Sequence, residues 1–243
     1  MAIGANLTKE ALNIFFLLDT SRSMDGSRIG QLNHAMPEAL LELAKVARRE
    51  DVAVSVRIIG FHSGVEWILG NVEEGVDVDK AAARWSDLQV GGSTNTAGAI
   101  DLCLKALHTR YLGTRNYRPV VVLVTDGSSD SLPDMKRSVE KLKNALNGGS
   151  GKEKVIRIAV GVQDYDEKEL AVFASTGTVN GKRNVPLVFK VDEIDNLSGC
   201  LTDIAVSSLY ATLAWKGGKT GDKPSIVIDS TVNGDSIWQD LPE

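Results

Sequence analysis

Phe15-Phe16-Leu17-Leu18-Asp19-Thr20-Ser21-Arg22-Ser23 is the stretch on which the reading of this chain turns. Its apolar half, entered through Asn13-Ile14, has the character of a strand covered on both faces. The run then ends in an acid, and two hydroxyls follow at alternate positions. An extended or tightly looped backbone there turns Asp19, Ser21 and Ser23 to one side. Three hard oxygen groups converging at a strand end suit a small hard cation such as Mg²⁺. The stretch reads as a metal-dependent surface site rather than a catalytic nucleophile.

Outward from this run, strand-like and helix-like segments alternate. Residues 13–19 are the buried strand. Residues 28–49 carry Ile29, Leu32, Met36, Leu40, Leu43 and Val46 at three- and four-residue steps, the stripe of an amphipathic helix. Pro37 inside it predicts a bend or an irregular first part. Residues 52–61 are a long β-branched run, and 65–69 a shorter one joined to it by the hairpin-like His62-Ser63-Gly64. The shorter strand is therefore expected at an antiparallel edge. A short helix is expected over 77–85, a loop over 91–96 and a helix over 97–107 with Ile100, Leu104 and Leu107 on one face. Residues 119–125 are almost purely β-branched and apolar, as in a central parallel strand. A helix over 132–146 ends at Asn147-Gly148-Gly149-Ser150-Gly151. There follow a strand over 154–160, a helix over 167–174, a last strand over 186–191 and a last helix over 194–210.

This alternation implies an α/β layered fold with a mostly parallel sheet. In such sheets ligands bind outside the carboxyl ends of the strands. Three polar loops leave those ends: after Leu18, after Leu88-Gln89-Val90, and after Val124. A site at that edge draws on three separated segments. Residues 211–243 differ in character: Lys216 to Pro224 is linker-like, and Ser225-Ile226-Val227-Ile228-Asp229-Ser230 has the pattern of one added strand. A segment this short cannot bury a core of its own. The expected organisation is one domain over 1–210 and a C-terminal extension over 211–243 that packs on it or contacts a partner.

Hydrophobic residues make up 43% of the 243, enough for a sizeable core and against disorder. A net charge of −5 argues against a nucleic-acid surface spread over the domain. Cys103 and Cys200 lack metal-site spacing and sit in apolar, helix-like segments, so two buried reduced thiols are expected. The N-terminus shows no long apolar run with a basic flank, and no stretch approaches about 18 uninterrupted apolar residues. A cytoplasmic protein with no membrane partner is the expectation. His34, His62 and His108 do not cluster, and Trp67 and Trp85 read as packing residues.

D-x-S-x-S alone is a weak pattern. Its weight comes from Gly91-Gly92-Ser93-Thr94-Asn95-Thr96 further on and from Val121-Val122-Leu123-Val124-Thr125-Asp126-Gly127 after that. In this order and on these elements the three motifs resemble the von Willebrand factor type A (vWA) domain and its metal-ion-dependent adhesion site (MIDAS). The resemblance covers roughly residues 10–210. Leu18-Asp19-Thr20-Ser21-Arg22-Ser23-Met24 and the 91–96 loop further resemble bacterial intracellular vWA proteins of the tellurite-resistance TerY type.

The vWA resemblance implies a Rossmann-like three-layer fold: a central, mostly parallel sheet with one short antiparallel edge strand and helices on both faces. It also implies metal-site roles. Ser21 and Ser23 would coordinate directly, Thr94 would be the third hydroxyl, and Asp19 and Asp126 would act through waters or directly and supply the negative charge. Mg²⁺ or Mn²⁺ suits such a set, whereas Zn²⁺ prefers the nitrogen and sulfur it lacks. One position would be left for an Asp or Glu of a partner protein. The TerY-type likeness implies a stress-response or phosphorylation-signalling setting, with a protein phosphatase or kinase as partner.

Other readings remain beside this one. Asp19, Ser21 or Ser23 would also serve as caps of the following helix. Thr94 would serve as a cap too, with Thr96 the better candidate, and Asp126-Gly127 as simple turn chemistry. Arg22, Asp25 and Asp130 read as solvated surface. A phosphoryl hydrolase with Asp19 as nucleophile lacks the second acid, because position 21 is Ser, and no phosphate loop, dinucleotide loop or nucleophile elbow is present. A non-enzymatic role is therefore expected. A vWA subunit regulating a chelatase-type AAA+ ATPase would carry the same metal site. An extracellular adhesin is disfavoured by the N-terminus and the unpaired cysteines.

Overall fold

The computed structural model describes residues 11–112, 117–146, 154–179 and 182–215. The opening run is β1 (Ala11–Asp19), and every residue from Leu12 to Asp19 is buried. That continuous burial explains why the strand shows no polar alternation: it has neighbours on both edges and helices over both faces. After a 3₁₀ turn (Arg22–Met24) comes α1 (Ser27–Arg49), which turns Leu32, Met36, Ala39, Leu40 and Leu43 inward. The helix is unbroken from Ser27 to Arg49 with Pro37 inside it, so the irregular first part expected from that proline is not observed.

The remaining elements are β2 (Ala53–Phe61), β3 (Val65–Leu69), β4 (Val76–Asp77), α2 (Val78–Ala81), α3 (Thr96–Ala106), α4 (Thr109–Leu112), β5 (Val120–Thr125), α5 (Leu132–Asn144), β6 (Ile156–Val162), α6 (Glu167–Phe173), β7 (Thr176–Val179), β8 (Lys182–Pro186), β9 (Val188–Val191) and α7 (Leu197–Trp215). The main sheet runs β3-β2-β1-β5-β6-β9, with β4 also on β2. Its strands are parallel except β3 and the two-residue β4, both antiparallel to β2. Helix α1 packs on α7 and α2, while α3 packs on α5 and α5 on α6, giving a helical layer on each side. The three-layer α/β architecture expected from the sequence is the one observed.

Several elements differ from that expectation. Leu88-Gln89-Val90 is not a strand. The Leu88 amide donates to Asn33 Oδ1 at 2.8 Å and its carbonyl accepts from Asn33 Nδ2 at 3.2 Å. A side chain of α1 thus takes the bonds a neighbouring strand would have taken. The hairpin β7–β8 was not foreseen, and the strand expected over 186–191 is the shorter β9 beside it. The last helix extends past Tyr210 to Trp215. The strand expected over 225–230 and the glycine-rich end of α5 lie outside the described residues.

Cys103 and Cys200 are buried free thiols, and burial pushes both well above the usual thiol range. Among the described residues no helix is long and apolar enough to cross a membrane. Leu17 sits at the centre of the sheet, fully buried between β2 and β5. Leu17→Ala is expected to lower unfolding free energy by about 2–5 kcal/mol, read from the urea midpoint, because the close-packed layers on either side cannot collapse into the void.

Candidate metal centre

The ends of β1 and β5 are neighbours, with Leu18 opposite Val124. The residues just beyond them meet at the carboxyl edge. Asp19 is fully buried. Its Oδ1 accepts from the Ser21 amide at 2.8 Å, and its Oδ2 accepts from Thr125 Oγ1 at 2.6 Å. The first bond folds the chain so that Ser21 and Ser23 come together, Oγ to Oγ at 2.9 Å. Ser23 Oγ donates to Asp126 Oδ1 at 2.7 Å. Asp19, Ser21, Ser23 and Asp126 are thereby linked across a sequence separation of more than a hundred residues.

Thr94 reaches the same edge on a loop docked by backbone bonds. The Gly91 amide donates to the Thr20 carbonyl at 2.9 Å, and the Arg22 amide to the Gly92 carbonyl at 3.1 Å. Gly92 has φ +68, and a Cβ there would lie 2.2 Å from Ser63 Oγ, so the position requires glycine twice over. Asp130 secures the loop from the other side: its Oδ1 accepts from the Thr94 amide at 2.8 Å, and its Oδ2 from Ser93 Oγ at 2.5 Å. The side chain of Asp130 is exposed, but its role is to hold the Thr94 loop rather than to be merely solvated. Thr94 is nearly buried, and its hydroxyl takes no hydrogen-bond partner among the described residues.

The capping alternatives are not what the structure shows. The 3₁₀ turn has Ser21 at its N-cap position without a side-chain capping bond, and α1 starts from Gly26. For α3 the cap is Asn95, whose Oδ1 accepts from the Gly98 amide at 2.9 Å, and Thr96 is its first residue. Arg22 and Asp25 are exposed, as expected. His34 pairs with Glu38 on the surface, and Trp67 and Trp85 pack against the core.

Three residues that sequence reading passed over hold the centre together. Thr125 satisfies the second oxygen of Asp19. Glu169, on α6, accepts from the Ser129 amide at 2.6 Å and so fixes the loop after β5. Arg28 bonds Asp126 Oδ2 at 2.5 Å. Only Thr125 had a sequence signal, a hydroxyl directly before Asp126 at the strand end.

Burial raises the Asp19 carboxyl above its ordinary 3.8, opposed by the hydrogen bonds from Thr125 and Ser21. Removing one of those bonds exposes the cost of burying the acid. Thr125→Val is expected to destabilise by about 1–3 kcal/mol, measured by denaturant titration, because one Asp19 oxygen loses its donor. Burial likewise raises Glu169 above its ordinary 4.5, although the Ser129 amide pulls it down. A carboxyl raised on folding contributes its stability at low pH and loses it as pH rises through the folded value. Glu169→Gln keeps the acceptor without the charge. It should match wild-type stability below pH about 4 and become the more stable of the two as pH rises towards 7, read from urea midpoints across pH.

The donor set comprises three hydroxyls and two carboxylates, all hard oxygens, with no nitrogen or sulfur. Among the described residues, no three His, Cys, Asp or Glu side chains gather as a metal-binding group. The chemistry fits a divalent cation that accepts oxygen ligands, and the Thr94 hydroxyl, without a partner among the described residues, fits a ligand position.

The fold and this arrangement of loops are those of the von Willebrand factor type A domain. The family model matches residues 13–202, and the chain belongs to that family. Among solved structures it is similar to a von Willebrand factor type A protein from Catenulispora acidiphila, at TM-score 0.63 and 15% identity over 82% of this chain and 43% of that one. It is also similar to the pilus adhesin SpaC of Lactobacillus rhamnosus GG in its open conformation, at TM-score 0.61 and 15% identity over 83% of this chain and 30% of that one. A third is proximal thread matrix protein 1 of the mussel byssus, in a structure with a zinc-occupied MIDAS motif, at TM-score 0.58 and 15% identity over 82% and 46%. The chain spans less than half the length of each of these proteins. Among curated proteins none matches it.

Proposed function

We propose that this protein is a divalent-metal-dependent protein-interaction module, with a MIDAS formed by Asp19, Ser21, Ser23, Thr94 and Asp126. The observation that supports this most is the hydrogen-bonded linkage of Asp19, Ser21, Ser23 and Asp126 at one sheet edge, with the Thr94 loop docked beside them. These four are tied through contacts of 2.7–2.9 Å, and among the described residues the Thr94 hydroxyl has no hydrogen-bond partner. A bound Mg²⁺ or Mn²⁺ would supply an electrophilic position open to a carboxylate. Ser21 and Ser23 would hold it directly, Thr94 would complete the hydroxyl set, and Asp19 and Asp126 would supply the negative charge. The zinc-occupied MIDAS of the mussel protein supports a metal at the equivalent place in this fold. The all-oxygen donor set favours Mg²⁺ or Mn²⁺ here.

The partner presents an Asp or Glu side chain to the metal. The likeness of the Leu18–Met24 and 91–96 stretches to TerY-type proteins supports a bacterial cytoplasmic stress-response or phosphorylation-signalling system, with a phosphatase or kinase as partner. The second acid that a phosphoryl hydrolase built on Asp19 would need is Ser21 here, which supports a binding role over a catalytic one. The test is an affinity pull-down from the native host in Mg²⁺ and then in EDTA, comparing the native chain with Asp19→Ala. A partner retained in Mg²⁺ and lost in EDTA and in the variant is the expected result. Partners unchanged by either treatment would sink the reading.

A further inference from the structure

Asp126 has two oxygens, and they face different chemistry. Oδ1 accepts from Ser23 Oγ at 2.7 Å, within the ring of candidate metal donors. Oδ2 accepts from Arg28 Nη1 at 2.5 Å, outside that ring. Arg28 comes from the first turn of α1, and its guanidinium is held from several directions. Nη1 also donates to the Ser23 carbonyl at 3.0 Å, Nε donates to Gln163 Oε1 at 2.6 Å, and Nη2 bonds the Asp164 carboxylate. Gln163 adopts φ +58, a left-handed conformation, while its amide donates to the Val191 carbonyl. Asp164 is largely solvated, with its side chain 83% exposed, whereas the Asp126 side chain is wholly buried. The Arg28 charge is therefore felt mainly by Asp126, because the solvated partner is screened by water and the buried one is not. No ion pair is present at Asp19 among the described residues, so Asp19 is the one carboxylate of the five donors without a cation beside it.

We infer that Arg28 is a built-in counter-charge that lowers the affinity of the five-oxygen site for a divalent cation in the free protein, so that a docked carboxylate is needed to complete tight binding. The inference rests on the metal-site reading above and specifies what regulates that site. Divalent affinity in oxygen sites follows the count of ligand charges. With Arg28 in place the centre offers one un-neutralised carboxylate instead of two. A cation sharing Asp126 with the guanidinium also faces a like charge across a buried carboxylate, where repulsion is poorly screened. A partner's Asp or Glu restores the missing negative charge, so metal and partner strengthen each other's binding reciprocally. Arg28 acts through Asp126 and is a positioning and charge-setting residue.

The test is Mn²⁺ alone, titrated into the full chain and followed by loss of the free-Mn²⁺ paramagnetic resonance signal. Four proteins are compared: wild type, Arg28→Gln, Arg28→Met and Arg28→Lys. Gln and Met remove the charge, and Met keeps the aliphatic stem should the Gln variant fold poorly. The expected result is Mn²⁺ binding about tenfold tighter in the Gln and Met variants. Lys keeps the charge and should stay within about threefold of wild type, a rescue that a purely structural role for the planar fork would not give. Charge-removed variants that bind Mn²⁺ no tighter than wild type would overturn the inference while leaving the metal site standing. Mn²⁺ binding absent from all four, or unchanged when Asp19→Ala is added to the Gln variant, would overturn the metal site itself.

Discussion

Asp19→Ala is expected to abolish the stabilisation that Mg²⁺ or Mn²⁺ should confer on the folded protein. A ligand that binds only the native state stabilises it by about 2.7 kcal/mol when present at one hundred times its dissociation constant. Wild type should show that gain in urea titrations with saturating metal, and Asp19→Ala should show none. The reason lies in the geometry around residue 19. Its Oδ1 folds the 19–23 loop by holding the Ser21 amide, and its side chain is the one carboxylate of the site without a neighbouring cation. Without metal the variant loses the acceptor of the Ser21 amide and the Thr125 hydroxyl but also sheds a buried acid, two effects of opposite sign. The decisive readout is therefore the metal-induced gain within each protein, not the difference in basal stability. An equal metal gain in both proteins would contradict the assignment.

The second large effect is expected at a residue that could never touch the metal. Gly92→Ala places a Cβ 2.2 Å from Ser63 Oγ and 3.0 Å from the Ser63 amide nitrogen, at a backbone φ of +68. The left-handed conformation alone costs about 1–2 kcal/mol for a residue with a Cβ, and the overlap with Ser63 Oγ and Cβ forces either Ser63 or the loop to shift. Gly92 accepts from the Arg22 amide and lies two residues before Thr94, so its displacement carries the third hydroxyl away from Ser21 and Ser23. The variant should lose about 1–3 kcal/mol of unfolding free energy and bind Mn²⁺ at least about tenfold more weakly. Ser93→Ala, in the same loop but without the steric demand, should fall well short of both. Calorimetric titration of the two variants separates these outcomes, and parity between them would remove Gly92 as the keystone of the loop.

The parts of the fold and site legible in the sequence were those whose cause is local. The burial of β1 and β5 shows directly in uninterrupted apolar runs; β1 ends on Asp19 and β5 one residue before Asp126, the two acids at the sheet edge. The stripe of α1 is equally plain, with Pro37 accommodated inside an unbroken helix. What stayed hidden depends on partners far along the chain. Leu88-Gln89-Val90 looks like a strand because its composition is strand-like, but both backbone groups of Leu88 bond the Asn33 side chain. Asp130 looks solvated because it is exposed, while its hydrogen bonds fix Thr94 and Ser93. Arg28 sits in the polar first turn of an amphipathic helix, where an arginine needs no special reason, and nothing nearby in sequence points to Asp126. The hairpin β7–β8 did have a signal: Asn180-Gly181 is a turn dipeptide between two short runs. The polar character of Lys182-Arg183-Asn184 masked it.

Energy and affinity report a bound metal indirectly, whereas diffraction reports its place. A crystal grown with Mn²⁺, measured at a wavelength where manganese scatters anomalously, locates the ion without reference to any other property. The expected result is one anomalous peak at the carboxyl edge of β1 and β5, bounded by Ser21 Oγ, Ser23 Oγ and the Thr94 hydroxyl, with Asp19 and Asp126 behind it. A map with no peak there, or with its strongest peak on other residues, would contradict the claim that these five side chains form a metal centre.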